Sequence, residues 1–188
     1  MKKSIYLIIL LIILILGTDR FFIGRKIDSY MDVPVYYNGL IFYKSYGKNY
    51  SKDGYYYGRK WQCVEYVKRF YYDKFNHKMP NVMGNAKDFF DKKIKNGEIN
   101  KDRNLVQFWN GQGELPQIND LIVIENKRYG HVGIVSKVTE SEIEIVQQNV
   151  WIKTKEKFKI INNNGKKEVG GSNKPIGWLR ISIENNNK

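Results

Sequence analysis

The chain has a single cysteine, Cys63, and only two histidines, His77 and His131. One cysteine excludes an internal disulfide framework and a cysteine-ligated zinc site. Two histidines cannot build a histidine-rich metal site, and the sequence implies neither metal nor cofactor. Proline is scarce at four residues and glycine stands at 16, which excludes collagen-like and low-complexity chains. No segment repeats with a period of about 20–50 residues, so a solenoid is excluded. Acidic residues are few, 19 against 32 Lys and Arg, for a net charge of +13.

What is present suits one folded domain. Of the 188 residues 42% are hydrophobic and 14% aromatic, which excludes a disordered chain. The length allows a core without metal or disulfide support. Residues 1–25 hold Lys2, Lys3, Arg20 and Arg25 against Asp19, a net of +3 that leaves +10 for the remainder. A basic surface suits polyanions: nucleic acid, anionic lipid or an anionic envelope polymer. The competing reading is compositional drift toward Lys, Ile, Asn and Tyr. The Tyr clusters at 55–57 and 71–72 sit in no recognisable nucleic-acid module, so nucleic acid is not an expected partner.

Lys2 and Lys3 precede an apolar run from Ile5 to Leu16, the pattern of an export signal. As a helix the run spans roughly 18 Å, short of the ~30 Å hydrocarbon core. Length thus favours a signal peptide. The lack of an Ala-x-Ala cleavage site, with Asp19 and Arg20 close behind, favours a retained anchor. Residues 1–25 are therefore expected to be a signal peptide or signal-anchor in contact with the membrane. Either outcome exports the rest, as a membrane-anchored, periplasmic or secreted domain. Residues 26–34 read as a connector, 35–183 as the folded domain and 184–188 as a frayed tail.

Val35–Tyr37 and Leu40–Tyr43 flank Asn38-Gly39, a two-residue hairpin signal. Residues 44–60 read as a long Gly- and Tyr-rich loop. Val64, Val67 and Tyr71 recur at helical spacing, predicting a helix from Gln62 to about Phe75, with Glu65, Lys68 and Arg69 off its apolar stripe. Ala86–Lys95 predicts a second helix and residues 96–120 loops. Strands are predicted at Leu121–Glu125, Gly130–Val138, Ile143–Gln148 and Ile176–Ile183. Helices first and sheet afterwards read as α+β with an antiparallel sheet.

Cys63 falls at the start of the predicted helix, where the helix dipole and unpaired N–H groups favour a thiolate and can receive an oxyanion. The competing reading is a small buried hydrophobe. His131 opens a strand behind Gly130 and is a candidate base for a cysteine nucleophile; alone it could equally be a structural histidine. A third group must orient the imidazole. Strand alternation places Gln147 and Asn149 on the face of Ile143 and Ile145, and Gln148 on the wetter face of Glu142 and Glu144.

Gly58-x-x-Trp61-Gln62-Cys63-Val64-Glu65-Tyr66, Pro116 with Asn119-Asp120, Gly130-His131-Val132-Gly133, Gln147-Gln148-Asn149 and Gly177-Trp178 stand in this order. Together they resemble the CHAP domain, a cysteine, histidine-dependent amidohydrolase/peptidase of the papain-like superfamily. Their spelling is most similar to the amidase domain of glutathionylspermidine synthetase/amidase. The resemblance covers roughly residues 35–183. It implies an α+β papain-like fold, with N-terminal helices and the nucleophile cysteine at a helix start packed on an antiparallel sheet. It implies Cys63 as nucleophile, His131 as general base and Gln147 at the third position, where the family often carries Glu. A neutral Gln can accept from the imidazole but cannot stabilise imidazolium by charge. Asn149 is the alternative orienter. Gln62 and the Cys63 N–H are candidate oxyanion donors, and Asp120, after Asn119 in place of the family's Gly, is structural. The chemistry implied is amide hydrolysis through a thioester. Peptidoglycan peptides lie where an export signal delivers the domain; glutathionylspermidine is the cytoplasmic alternative. A catalytically weak binding module is the reading from a different class.

Overall fold

The structure is a computed structural model that describes residues 2–41, 44–125, 128–171 and 173–182. Helix α1 (Lys2–Asp19) carries the apolar run, with Tyr6, Leu7 and Leu10 largely exposed. Among the described residues no helix is long and apolar enough to cross a membrane. The end of α1 is tied to the domain: Asp19 accepts from the Tyr37 hydroxyl at 2.7 Å and the Leu40 N–H at 3.1 Å.

The segment 26–34, read as a connector, is built into the domain. β1 (Lys26–Tyr30) pairs with β2 (Val33–Tyr36) across Met31-Asp32, both left-handed. Val33 and Val35 are core residues, and their burial holds a hairpin that polar β1 does not advertise. Among the described residues no hairpin forms at Asn38-Gly39, and β2 takes β1 as its partner. Asn38 is buried and its amide serves other bonds. Part of the predicted strand Leu40–Tyr43 lies outside the described residues, as does the tail 184–188. Within the supposed loop 44–60, β3 (Lys48–Tyr50) pairs with β4 (Tyr56–Arg59), and Tyr55 and Tyr57 bury their rings.

Helix α2 (Cys63–Phe75) begins at Gln62 as its N-cap and ends at left-handed Asn76. Tyr66, Val67, Phe70 and Tyr71 form its core stripe. The residues read as lying off that stripe are buried too: Glu65, Lys68 and Arg69. Their side of the helix is covered by the β1–β2 and β3–β4 hairpins and by the chain after Pro80. Lys68 donates to the Tyr56 and Val82 carbonyls, and burial pushes its pKa down to about 7. The helix predicted over Ala86–Lys95 shrinks to one 3-10 turn, Ala86–Phe89. Phe90 leaves in extended geometry and packs on Trp109 while Phe89 enters the core.

Strands β5 (Glu98–Asn100), β6 (Leu105–Trp109), β7 (Leu121–Ile124), β8 (His131–Val138), β9 (Glu142–Gln147), β10 (Lys155–Asn163), β11 (Lys166–Val169) and β12 (Gly177–Arg180) form one antiparallel sheet. Its order is β11-β10-β9-β8-β7-β12-β6-β5. The prediction of helices before sheet fails in detail, since four strands precede α2. The architecture is α+β and rich in sheet. One face packs α2 through Val123, Val132, Ile134, Val146 and Leu179. The other face holds a second core of Ile122, Val135, Ile143, Ile145, Phe158 and Trp178. The sheet curls around that core: Asn110, beyond β6, exchanges hydrogen bonds with the Val169 N–H and carbonyl on β11 at 2.9 and 2.8 Å. Asn119 takes a left-handed turn ahead of buried Asp120, which accepts from Arg180 at 2.8 Å.

Candidate active site

A cleft of about 870 Å³ runs between the start of α2, the loop around Met83 and the mouth of the curled sheet. Cys63, His131, Gln147, Asn149 and Gln62 all line it. Cys63 is the first residue of α2 and is buried. The N–H groups of Val132, Val64 and Cys63 itself point toward its sulfur and favour a thiolate. Burial outweighs them and pushes the thiol up to about 11. Desolvation thus opposes the thiolate that the helix start favours.

His131 opens β8, and Gly130 makes that possible. Gly130 is left-handed, and a Cβ there would stand 2.5 Å from the Lys87 nitrogen of the 3-10 turn. The adjoining Tyr129 carbonyl accepts from that same Lys87 N–H at 3.0 Å. His131 Nε2 lies 2.9 Å from Gln147 Oε1. Gln147 is fixed in this orientation because its Nε2 donates to the Lys153 carbonyl at 3.3 Å. An oxygen facing Nε2 must accept, so Nε2 carries the proton and Nδ1 keeps its lone pair. Burial lowers the pKa of His131, partly offset by the hydrogen bond to Gln147 and by the negative charge of Glu156. Burial thereby favours the neutral ring.

The β8–β9 register pairs Gly133 with Gln147 and sets Gln147 diagonally from His131 on the inner face, with Ile145. The ladder ends there. Asn149, read as continuing that face, is left-handed at φ 70° and turns away from the strand. Its side chain accepts from Asn38 at 2.6 Å and donates to Gln62 Oε1 at 2.7 Å. The Gln62 amide nitrogen donates to the Lys44 carbonyl at 2.7 Å. These bonds hold Gln62 beside Cys63 at the cleft wall.

Gln148 does not face water. It does point opposite to Gln147, but that face is covered by α2, and the residue is 1% exposed. Its Oε1 accepts from the Tyr36 N–H at 2.7 Å, and its Nε2 donates to the Gln62 carbonyl at 3.1 Å and to Glu65 at 2.7 Å. Glu65 also accepts from Asn49 and from Arg69, at 2.8 and 2.6 Å. This buried network locks the end of β9 onto the first turn of α2, and so fixes Cys63 relative to His131. Gln148→Ala leaves a buried N–H and a carboxylate short of partners, and a loss of ~2–3 kcal/mol follows. Arg69→Met leaves Glu65 as a buried unpaired charge, at ~3–5 kcal/mol. Denaturant unfolding of the two variants measures both; Gln148→Ala at parental stability would contradict the network. The sequence marked Gln148 only as part of a Gln-Gln-Asn run, and its role was hidden by the assumption that one strand face is wet. Glu156 was missed as well: it lies on lysine-rich β10, and nothing local ties it to His131.

Among the described residues no group of three or more His, Cys, Asp and Glu could hold a metal ion.

One cleft thus holds a thiol at a helix start, an imidazole at a strand start and an amide hydrogen-bonded to that imidazole. Residues 52–149, just over half of the chain, match the CHAP domain, and the chain belongs to that family. By class it is a cysteine amidohydrolase. It is similar to the "Bifunctional glutathionylspermidine synthetase/amidase" of Escherichia coli (strain K12) and to the protein of the same name from Shigella flexneri. Each is 30% identical over 103 residues, 52% of this chain and 16% of the relative. The chain thus spans about a sixth of the length of these curated relatives.

Proposed function

We propose that this chain hydrolyses amide bonds in peptidoglycan peptides outside the cytoplasm, with Cys63 as nucleophile, His131 as general base and Gln147 orienting the imidazole. The observation that carries this reading is that Cys63, His131 and Gln147 line one cleft and that Gln147 Oε1 faces His131 Nε2 at 2.9 Å. Nδ1 accepts the thiol proton as sulfur attacks the carbonyl carbon. The oxyanion is received by the Cys63 N–H and the Gln62 amide. The imidazolium then protonates the leaving amine, the thioester forms, and His131 activates the water that releases the acid. Burial favours the neutral thiol and the neutral imidazole, which suits proton transfer during attack rather than before it.

The apolar run behind Lys2 and Lys3 supports export, and export favours peptidoglycan over glutathionylspermidine. Arg59 and Arg128 on the cleft walls suit carboxylate-bearing peptides, and the +10 charge outside residues 1–25 suits an anionic envelope surface. The deciding experiment incubates the protein with purified sacculi and, in parallel, with glutathionylspermidine, and identifies products by mass. New peptide or amine ends in the sacculus digest are expected. Cleavage of glutathionylspermidine alone, with full-length chain recovered in the cytosol, would overturn the substrate and the location. Binding to sacculi without cleavage would favour the binding-module reading.

A further inference from the structure

The third position carries an amide, so the imidazolium formed during attack has no charge directly behind it. We propose that Glu156 on β10 supplies that charge, as an electrostatic partner of His131 that acts across the neighbouring strand. The inference rests on the catalytic reading of Cys63 and His131.

The register carries it. β10 pairs with β9 so that Glu156 stands opposite Ile145, and β9 pairs with β8 so that Ile145 stands opposite Val135. Side chains at paired positions share a face, so Glu156 lies on the inner face with Gln147 and His131. It lines the same cleft as Cys63 and His131. Its side chain is mostly covered, and Oε1 is held by Lys153 Nζ at 3.0 Å. The same short segment grips Gln147 twice. The Lys153 carbonyl accepts from Gln147 Nε2, and the Thr154 carbonyl accepts from the Gln147 N–H at 2.8 Å. Segment 153–156 therefore both holds the hydrogen-bond acceptor of His131 and carries a carboxylate on the same cleft wall. The negative charge of Glu156 favours imidazolium, in agreement with this placement.

The other titratable or charged groups on the cleft walls are Tyr56 and Arg59 of β4, Cys63 of α2, and Arg128 and Tyr129 before β8. Among these cleft-lining groups Glu156 is the carboxylate. Lys153 tempers Glu156, so the two residues have opposite effects on His131.

The test is the titration of His131 by NMR in the full chain, with His131→Ala identifying its signals against those of His77. Glu156→Gln is expected to shift the His131 titration to lower pH. Lys153→Met, which keeps the backbone carbonyl, is expected to shift it upward. The acid limb of kcat/KM should follow the same two directions, and kcat should fall roughly three- to tenfold in Glu156→Gln, since imidazolium is needed mainly in the transition state. An unchanged His131 titration in both variants would overturn the proposal while leaving the catalytic reading intact. Opposite NMR shifts in a chain that hydrolyses no amide would sustain the pairing and overturn the catalytic reading instead. If Glu156→Gln fails to fold, Lys153→Met decides alone.

Discussion

Cys63→Ala abolishes amide hydrolysis and moves the free energy of unfolding by only about 1 kcal/mol, because one sulfur is lost from a site that stays packed. His131→Ala lowers kcat by roughly 10³–10⁴, the scale for loss of an essential base. Turnover of a cleavable peptide together with the thermal transition measures both. Loss of activity accompanied by loss of fold would mark these residues as structural. The protonation states add a sharper readout. Burial raises Cys63 to about 11 and lowers His131 from the ordinary imidazole value. As the proposed general base His131 acts neutral, so the acid limb of kcat/KM is expected below the ordinary imidazole value. Iodoacetamide alkylation of Cys63 is slow at pH 6 and accelerates toward alkaline pH. Fast, pH-independent alkylation at pH 6 would instead reveal a resting thiolate–imidazolium pair.

Gln147→Ala lowers kcat about 10²-fold with a smaller change in KM, since the oriented imidazole matters most in the transition state. Gln147→Glu places a carboxylate on Nε2 and raises the His131 pKa. It keeps activity within a few fold: the gained charge favours imidazolium, while the Lys153 carbonyl loses the N–H that Gln147 donates to it. The pH–rate profile of Gln147→Glu should move its acid limb upward. If Gln147→Ala were silent and Asn149→Ala damaging, Asn149 would be the orienter in solution.

The parts of the fold legible in the sequence are those where local pattern and tertiary demand agree. Helix α2 announces itself by Val64, Val67 and Tyr71, and β8 and β9 by β-branched runs. The Gly130-His131 spacing marks the strand mouth. The polar side of α2 was not legible as buried, because Glu65, Lys68 and Arg69 find partners only after distant hairpins fold over them. The Asn-Gly signal shows the same limit twice. At Asn164-Gly165 both residues are left-handed and turn β10 into β11, although the lysine-rich flanks hid the hairpin. At Asn38-Gly39 the signal is plain, yet the Asn38 amide is engaged by Asn149 and by the Trp61 N–H. Of the residues that line the cleft, Cys63, His131 and Gln147 were legible as candidates by position. Gln148 and Glu156 were not, since a strand covered on both faces has no wet side and a partner on the next strand leaves no mark in local spacing.

The sheet order also governs how the chain reaches its native state. Strand β12 lies between β7 and β6, so the strand latest in sequence occupies an interior place. Until Gly177–Arg180 arrives, β7 and β6 have no partner between them, and Trp178 is missing from the inner core. Asn110 and Val169, whose bonds close the curl, are 59 positions apart. Both closures are long-range pairings whose loop entropy is lost before any contact compensates it, which slows folding. A nascent chain emerging from the ribosome amino end first therefore stays open at this place until Gly177–Arg180 has emerged, and His131 and Gln147 meet their inner-core support late.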